Sequence, residues 1–212
     1  MKKLILLPAM LVLLAAAVCA QTGEWKTETS KDGQVTVQSN VSRRTNAGGK
    51  EEQLVQYIAT ATADVSVWQC IALLQDVSMH KDFNDDSESR IVKTISDNEW
   101  IVYYYCKVPW PFKDFDMVYR MKCTEDNPAG TAIFSLNAEP ESYEKGKVDR
   151  ISFSAIQYEF KAIDNNKTAI KVTAATCPTT IVADWMVKQS FPSGPAQMIL
   201  DMIKLAKTKK GA

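Results

Sequence analysis

Apolar and polar residues alternate along the first part of the chain with the period of β-strands. The alternation covers 34–41 and resumes over 53–63, after a break at 45–49 that is rich in turn-forming residues. A helical period then follows in Val67, Cys70, Ile71, Leu74 and Val77. Asp64 or Ser66 is placed to cap the start of that helix. This part of the chain therefore predicts two strands and one amphipathic helix.

From residue 89 onward the alternation predicts an antiparallel meander. The predicted strands cover 90–95, 100–108, 117–124, 131–136, 150–163 and 168–176. Turns are expected at Asp97-Asn98, at 127–130 and at 164–166, where asparagine, aspartate, proline or glycine interrupt the pattern.

The chain then ends in helical spacing. One short helix is expected over 181–189, a proline-rich bend over 191–195, and a longer helix over 195–207. The apolar stripe of the longer helix consists of Met198, Ile199, Met202, Leu205 and Ala206. The order of elements predicts an α+β fold in which a curved antiparallel sheet wraps around a long C-terminal helix.

The first twenty residues have the composition of an export signal. Two lysines precede an apolar run that is too short for a comfortable membrane span, and the run ends in small residues at 18–20. We expect a signal peptide over 1–20, a single domain over 21–212, and a periplasmic or secreted mature protein. Two alternatives are lipidation at Cys19 and an uncleaved N-terminal anchor.

The net charge of the chain does not indicate which class of partner it binds. It carries 25 basic and 25 acidic residues, and loss of Lys2 and Lys3 leaves a slight acidic excess. Nucleic-acid binding depends on clustered Lys and Arg, so we expect no nucleic-acid partner.

The stretch VPWPFKDFD at 108–116 directly follows three tyrosines at 103–105. Prolines end strand pairing, so this stretch predicts a sharp turn between two strands. Together with NEWIVYYYCKVPWP and DWMVKQSFPSGPAQMILDMIK, it resembles the START (StAR-related lipid-transfer) family of the helix-grip superfamily. The resemblance runs from about Gln53 to the end of the chain.

The sequence departs from the START pattern at three places. Phe115 stands where the family usually has arginine, so a buried pair between that arginine and Asp116 is not assumed. Cys177-Pro178-Thr179-Thr180 replaces an Asp-Pro-Gly-Gly type of segment, and Lys188 stands where asparagine is frequent. The chain is thus expected to be a divergent member whose ligand is not transferable from its relatives.

The resemblance implies an internal apolar cavity between sheet and C-terminal helix that binds a lipid or a similar apolar molecule and possibly transfers it. We expect no cofactor. The superfamily also contains cyclases and hydrolases, for which Asp116 and Glu159 are candidate inward acids. A further alternative is a cell-envelope interaction module without a ligand.

The alternation of apolar and polar residues along the strands predicts which residues line the cavity. Trp100, Val102 and Tyr104 share one uncharged face, and Tyr119 and Met121 share another. The same residue types also suit a filled core, but tyrosine hydroxyls with flexible methionines favour an adaptable pocket. The full set of predicted lining residues is Trp100, Val102, Tyr104, Trp110, Tyr119, Met121, Met198 and Met202. Trp110 is expected to act as an apolar plug at the rim.

Cys106 and Cys123 fall on the same predicted face. If they sit opposite each other they can form a disulfide in an oxidising compartment; otherwise they are two buried thiols. His80, the only histidine, lies in a polar segment and is expected to be a solvated loop residue, which argues against a metal site or a Ser-His-Asp hydrolase.

Four lysines lie near the C-terminus. They fit either transient contact with anionic lipid headgroups or the favourable placement of cations at the end of a helix. The four residues are Lys204, Lys207, Lys209 and Lys210.

Overall fold

The structure is a computed structural model that describes residues 24–84, 86–110, 112–126 and 130–209. The predicted signal peptide at 1–20 with Cys19, Pro111 of the proline-rich stretch, turn residues 127–129 and Lys210 lie outside the described residues. No helix in the described part of the chain is long and apolar enough to cross a membrane.

Within the described residues, ten strands build one sheet. They are β1 Lys26–Thr29, β2 Val35–Thr45, β3 Glu51–Ala63, β4 Glu88–Ser96, β5 Glu99–Cys106, β6 Phe115–Asp126, β7 Thr131–Ala138, β8 Asp149–Arg150, β9 Ser154–Asp164 and β10 Lys167–Thr176. Nine of them follow the order β1-β2-β3-β10-β9-β7-β6-β5-β4, with antiparallel pairing throughout. The two-residue β8 pairs with β6 in parallel, off this path.

The helices lie before and after the meander. They are α1 Val67–Gln75, α2 Lys81–Asn84, α3 Asp184–Gln189 and α4 Ser193–Ala206, with short 3₁₀ turns at Val77–Met79 and Pro140–Ser142. The N-cap of α1 is Ser66, one of the two predicted candidates, and it forms a capping box with Gln69. Helix α4 begins two residues earlier than predicted, so Pro195 lies within its first turn.

One apolar core joins the inner face of the sheet to α1 and α4. Val102, Tyr119 and Met121 of the sheet and Ile199 and Met202 of α4 are almost fully buried in it. An antiparallel sheet needs only one apolar face, and the core covers that face with helices. The predicted α+β fold with its curved antiparallel sheet and long C-terminal helix is confirmed.

Three local features differ from the sequence prediction. The polar segment before residue 34 contains β1, and the polar patch after His80 contains the four-residue α2. The predicted strand 150–163 is divided by 151–153 into β8 and β9. Strands and helices this short carry too few apolar residues to show a period.

Candidate functional site

A pocket of about 880 Å³ lies between the inner face of the sheet and the first half of α4. The strands β3, β5, β6, β7, β9 and β10 supply one wall, while α2 and residues 191–201 supply the other. Its apolar lining is Val55, Phe83, Met117, Leu136, Ile156, Ala174, Phe191, Pro195 and Met198. Ligand pockets in proteins typically measure about 300–1,000 Å³ and are mostly apolar, so the space suits one apolar guest.

Four tyrosines from four strands add hydroxyl groups to this lining: Tyr57, Tyr104, Tyr119 and Tyr158. Burial raises the pKa of Tyr57 to about 12. It also raises the pKa of Tyr104, Tyr119 and Tyr158 well above the ordinary value. All four hydroxyls therefore stay protonated at neutral pH, so each has one proton to donate and lone pairs that accept hydrogen bonds.

His80 lies behind the pocket wall, where it contacts Tyr104. Its Nε2 lies 2.9 Å from the carbonyl oxygen of Leu74, and its Nδ1 lies 2.7 Å from the Tyr104 hydroxyl. A carbonyl only accepts, so Nε2 carries the proton and Nδ1 accepts from Tyr104. The prediction of a solvated His80 was wrong, because the side chain is 1% exposed and satisfies both ring nitrogens inside the fold.

Three hydroxyls at the wall are connected in a chain, two of which line the pocket. The Tyr119 hydroxyl donates to Ser154 Oγ at 2.9 Å, and Ser154 Oγ lies 2.7 Å from Thr176 Oγ1. The Tyr57 hydroxyl contacts Met198 Sδ at 3.7 Å. These contacts hold the rings in place and leave short polar spots on an apolar surface.

The charged groups of the pocket lie around α2 and on α4. Lys81, Asp82 and Asp86 lie on or just after α2, and Asp201 lies on α4. Asp86 Oδ1 accepts a hydrogen bond from the Cys106 thiol at 2.8 Å, which places this carboxylate at the end of β5. Nothing in the local pattern of this polar segment shows that α2 folds against α4.

The predicted lining residues on the strands and on α4 divide into two groups. Tyr104, Tyr119 and Met198 lie on the pocket wall. The inner-face residues Trp100, Val102, Met121 and Met202 are buried in the core without lining this pocket. Alternation indicates which face of a strand points inward, but the position along the strand decides between core and pocket.

Trp110 does not line the pocket. Its side chain is 92% exposed, and the neighbouring Phe112 is also exposed. The loop is held instead by Asp114, which accepts from the Val108 amide at 3.0 Å and from the Tyr105 hydroxyl at 2.5 Å. The expected apolar plug was wrong, because the turn between β5 and β6 directs the indole outward.

Cys106 and Cys123 do not form the disulfide that was considered. Both side chains are buried thiols that are not joined in a disulfide. In the register of β5 and β6, Cys106 pairs with Phe115, while the Cys123 amide donates to the Asn98 carbonyl beyond the other end of β5. The two residues share a face but lie at opposite ends of the strand pair, so the alternative of two buried thiols applies.

Asp116 and Glu159, the candidate inward acids, both lie outside the pocket. Asp116 forms a bidentate ion pair with Arg150, with both contacts at 2.8 Å. Glu159 pairs with Lys171 at 3.0 Å. Arg150 is thus the buried partner of Asp116, and no sequence pattern predicts it because its position depends on the β6–β8 pairing.

Solved structures with the same fold come from bacteria and human. The STAR-related lipid transfer protein from Xanthomonas axonopodis (fragment 25–204) matches with a TM-score of 0.70 and 17% identity, over 87% of this chain and 99% of that chain. Human STARD10 matches with a TM-score of 0.69 and 18% identity, over 86% and 73%. The Zhui aromatase/cyclase from Streptomyces sp. R1128 matches with a TM-score of 0.52 and 11% identity, over 73% and 94%.

The structural likeness defines the class of fold. The chain has the helix-grip fold of START domains, and the resemblance inferred from the VPWP stretch is confirmed at this level. No protein-family model matches the sequence, and no curated protein matches it either.

Proposed function

We propose that this protein binds one lipid or similar apolar small molecule between the sheet and α4. The observation that carries the proposal is the pocket of about 880 Å³ with its aromatic, aliphatic and methionine lining. Binding would be driven by removing apolar surface of the guest from water, at about 25 cal/mol per Å² buried. The tyrosine hydroxyls would orient the polar end of the guest.

Transfer of the bound molecule between membranes is a further part of this proposal. Three proteins with the same fold carry lipid transfer in their names, which supports a carrier. Entry and exit would require α2 to separate from the first turn of α4, because Lys81, Asp82, Ser193 and Gly194 border the pocket there. Movement of loops or short helices is a common way to open such sites.

The principal experiment is to purify the protein from its native host, extract it with organic solvent and identify bound molecules by mass spectrometry. We expect one lipid-like molecule per protein. Recovery of a chemically altered molecule after incubation would instead support a cyclase-like or hydrolase-like enzyme. Repeated recovery of empty protein that binds no added lipid would contradict the proposal and favour an envelope interaction module.

A matched pair of variants on β10 tests the location of binding. Ala174 lines the pocket, whereas its neighbour Ala175 points to the opposite face of the strand. Ala174→Phe should fill the space and abolish lipid recovery, while Ala175→Phe should retain it. Equal lipid recovery from both variants would place binding elsewhere.

We also propose that the protein acts outside the cytoplasm, after removal of residues 1–20. The basic start and short apolar run of the sequence support this. Fractionation of the native host with N-terminal sequencing of the purified protein tests it. A cytoplasmic protein that retains Met1 would contradict this part of the proposal.

A further inference from the structure

The charge of the pocket is unbalanced. Among the described residues that line it, Asp82, Asp86 and Asp201 carry carboxylates, and Lys81 is the one ammonium group. Lys81 and Asp82 are both exposed on α2, where solvent screens them. The charge that remains closest to the tyrosine-lined wall is therefore negative.

Asp86 is the lining carboxylate whose charge acts on the tyrosines of the pocket wall. It lines the same pocket as Tyr104, Tyr119 and Tyr158, and its contact with the Cys106 thiol holds it at the C-terminal end of β5. Burial is the main cause of the raised pKa of these tyrosines, and the negative charge of Asp86 adds to it. The three phenols and this carboxylate thus share one electrostatic environment.

Such an environment discriminates between head groups. A phenol donates or accepts a hydrogen bond, whereas a carboxylate only accepts. A hydroxyl or ammonium group can donate to Asp86, but a second carboxylate or a phosphate would meet like charge in a site of low dielectric.

We propose that the pocket selects an amphiphile whose polar group donates hydrogen bonds and carries no negative charge, an alcohol or an amine, with Asp86 as the accepting residue. This inference rests on the proposed lipid binding and specifies its ligand class. Fatty acids and other anionic amphiphiles would be excluded by the same carboxylate.

The experiment compares three probes that share one hydrocarbon chain: oleyl alcohol, oleylamine and oleate. Their affinities are measured near neutral pH by displacement of the neutral dye Nile red, and native mass spectrometry confirms one-to-one complexes. We expect oleate to bind at least about tenfold more weakly than oleyl alcohol, because of like-charge repulsion. Comparison of the affinities for oleyl alcohol and oleylamine then shows whether the preferred head group is neutral or cationic.

Two variants test the role of Asp86. Asp86→Asn keeps the shape and an acceptor oxygen but removes the charge. The ratio of the Kd of oleate to the Kd of oleyl alcohol should therefore fall to less than about threefold. Asp64→Asn is the matched control, since Asp64 is an exposed carboxylate that does not line the pocket and pairs only loosely with Lys167 at 3.7 Å. This control should leave the ratio of the two Kd values unchanged.

The outcomes separate this inference from the proposed function. Oleate binding as tightly as oleyl alcohol to the wild-type protein would overturn the inference and leave lipid binding intact. An unchanged ratio of the two Kd values in a folded Asp86→Asn variant would show that Asp86 does not cause the discrimination against oleate. If none of the three probes displaces Nile red or forms a one-to-one complex, the proposed function itself fails. The wild-type comparison remains decisive even if Asp86→Asn does not fold.

Discussion

The burial of His80 makes the free energy of unfolding depend on pH. Burial lowers its pKa from 6.5 to about 4, and its hydrogen bond to the Leu74 carbonyl opposes only part of that change. In the unfolded chain the side chain titrates at its ordinary value. Between these two values the unfolded state binds more protons than the folded state, so the free energy of unfolding falls as the pH falls.

The pH dependence of unfolding tests this coupling. Between pH 6.5 and about 4 the wild-type protein should lose stability as the solution is acidified, by up to about 1.4 kcal/mol per pH unit. His80→Gln should remove this contribution, so the difference between the two urea-unfolding curves should depend on pH only in that window. Parallel pH profiles for the two proteins would show that His80 is not buried as a neutral group.

Arg150 stabilises a long loop with all five donors of its guanidinium. Two donate to the carboxylate of Asp116, and three donate to the backbone carbonyls of Pro140, Tyr143 and Glu144. The side chains of Arg150 and Asp116 are 5% and 0% exposed. Because the pair is buried, removal of one partner leaves an uncompensated charge inside the protein.

Removal of the guanidinium should therefore be costly. Arg150→Met should lower the free energy of unfolding by about 3–5 kcal/mol, as measured by chemical denaturation. The control is Lys26→Met, which removes the exposed partner of Glu28 and should cost no more than about 1 kcal/mol. A similar small loss for both variants would contradict the structural role of Arg150.

At the scale of elements, α1 depends on its cap. Ser66 Oγ accepts from the Gln69 amide at 3.2 Å, and the Ser66 amide donates to Gln69 Oε1 at 2.9 Å. Gln69 Nε2 also donates to the Lys209 carbonyl at 3.0 Å, which connects the start of α1 to the end of α4. Lys209 in turn pairs with Asp76 at 2.8 Å, so this lysine serves the fold in addition to any contact with lipid.

Substitution of the two predicted capping residues, Ser66 and Asp64, should change the free energy of unfolding by different amounts. Ser66→Ala should reduce the free energy of unfolding by about 1 kcal/mol, because the Gln69 amide loses its acceptor. Asp64→Ala should change it much less, since the Asp64 side chain is 79% exposed and makes no cap. Thermal unfolding of both variants under the same conditions provides the comparison, and a larger effect at Asp64 would assign the cap differently.

At the scale of the whole molecule, the pocket is apolar surface that the protein leaves uncovered. Ile199 and Met202 of α4 are buried against the sheet, whereas Met198 and the four tyrosines border the pocket. A guest that binds only the folded state would stabilise the protein by mass action.

Removal of the guest should therefore lower thermal stability. We expect a lipid-free sample to unfold at a lower temperature, and added oleyl alcohol at about a hundred times its Kd to restore about 2.7 kcal/mol. Calorimetry of native, extracted and reloaded samples measures this. Identical transitions in all three samples, with lipid verified by mass spectrometry, would mean that the lipid does not bind the pocket of the folded state.

The amino-acid sequence by itself determined most elements of this protein. Hydrophobic period is a local property, so the long strands, α1 and α4 appear in the pattern within a few residues of their observed bounds. Alternation also placed Tyr104, Tyr119 and Met121 on the inner face. The VPWP stretch and the closing helix together indicated the class of fold.

Only the tertiary structure decided the contents of the pocket and the partners of the buried polar groups. His80 meets Tyr104 across 24 residues of sequence, and Arg150 meets Asp116 across 34. Such contacts depend on strand register and on the docking of α2 against α4, which no local pattern encodes. For the same reason Trp110 proved to be exposed and Asp86 proved to line the pocket, because the path of each loop is fixed by distant packing.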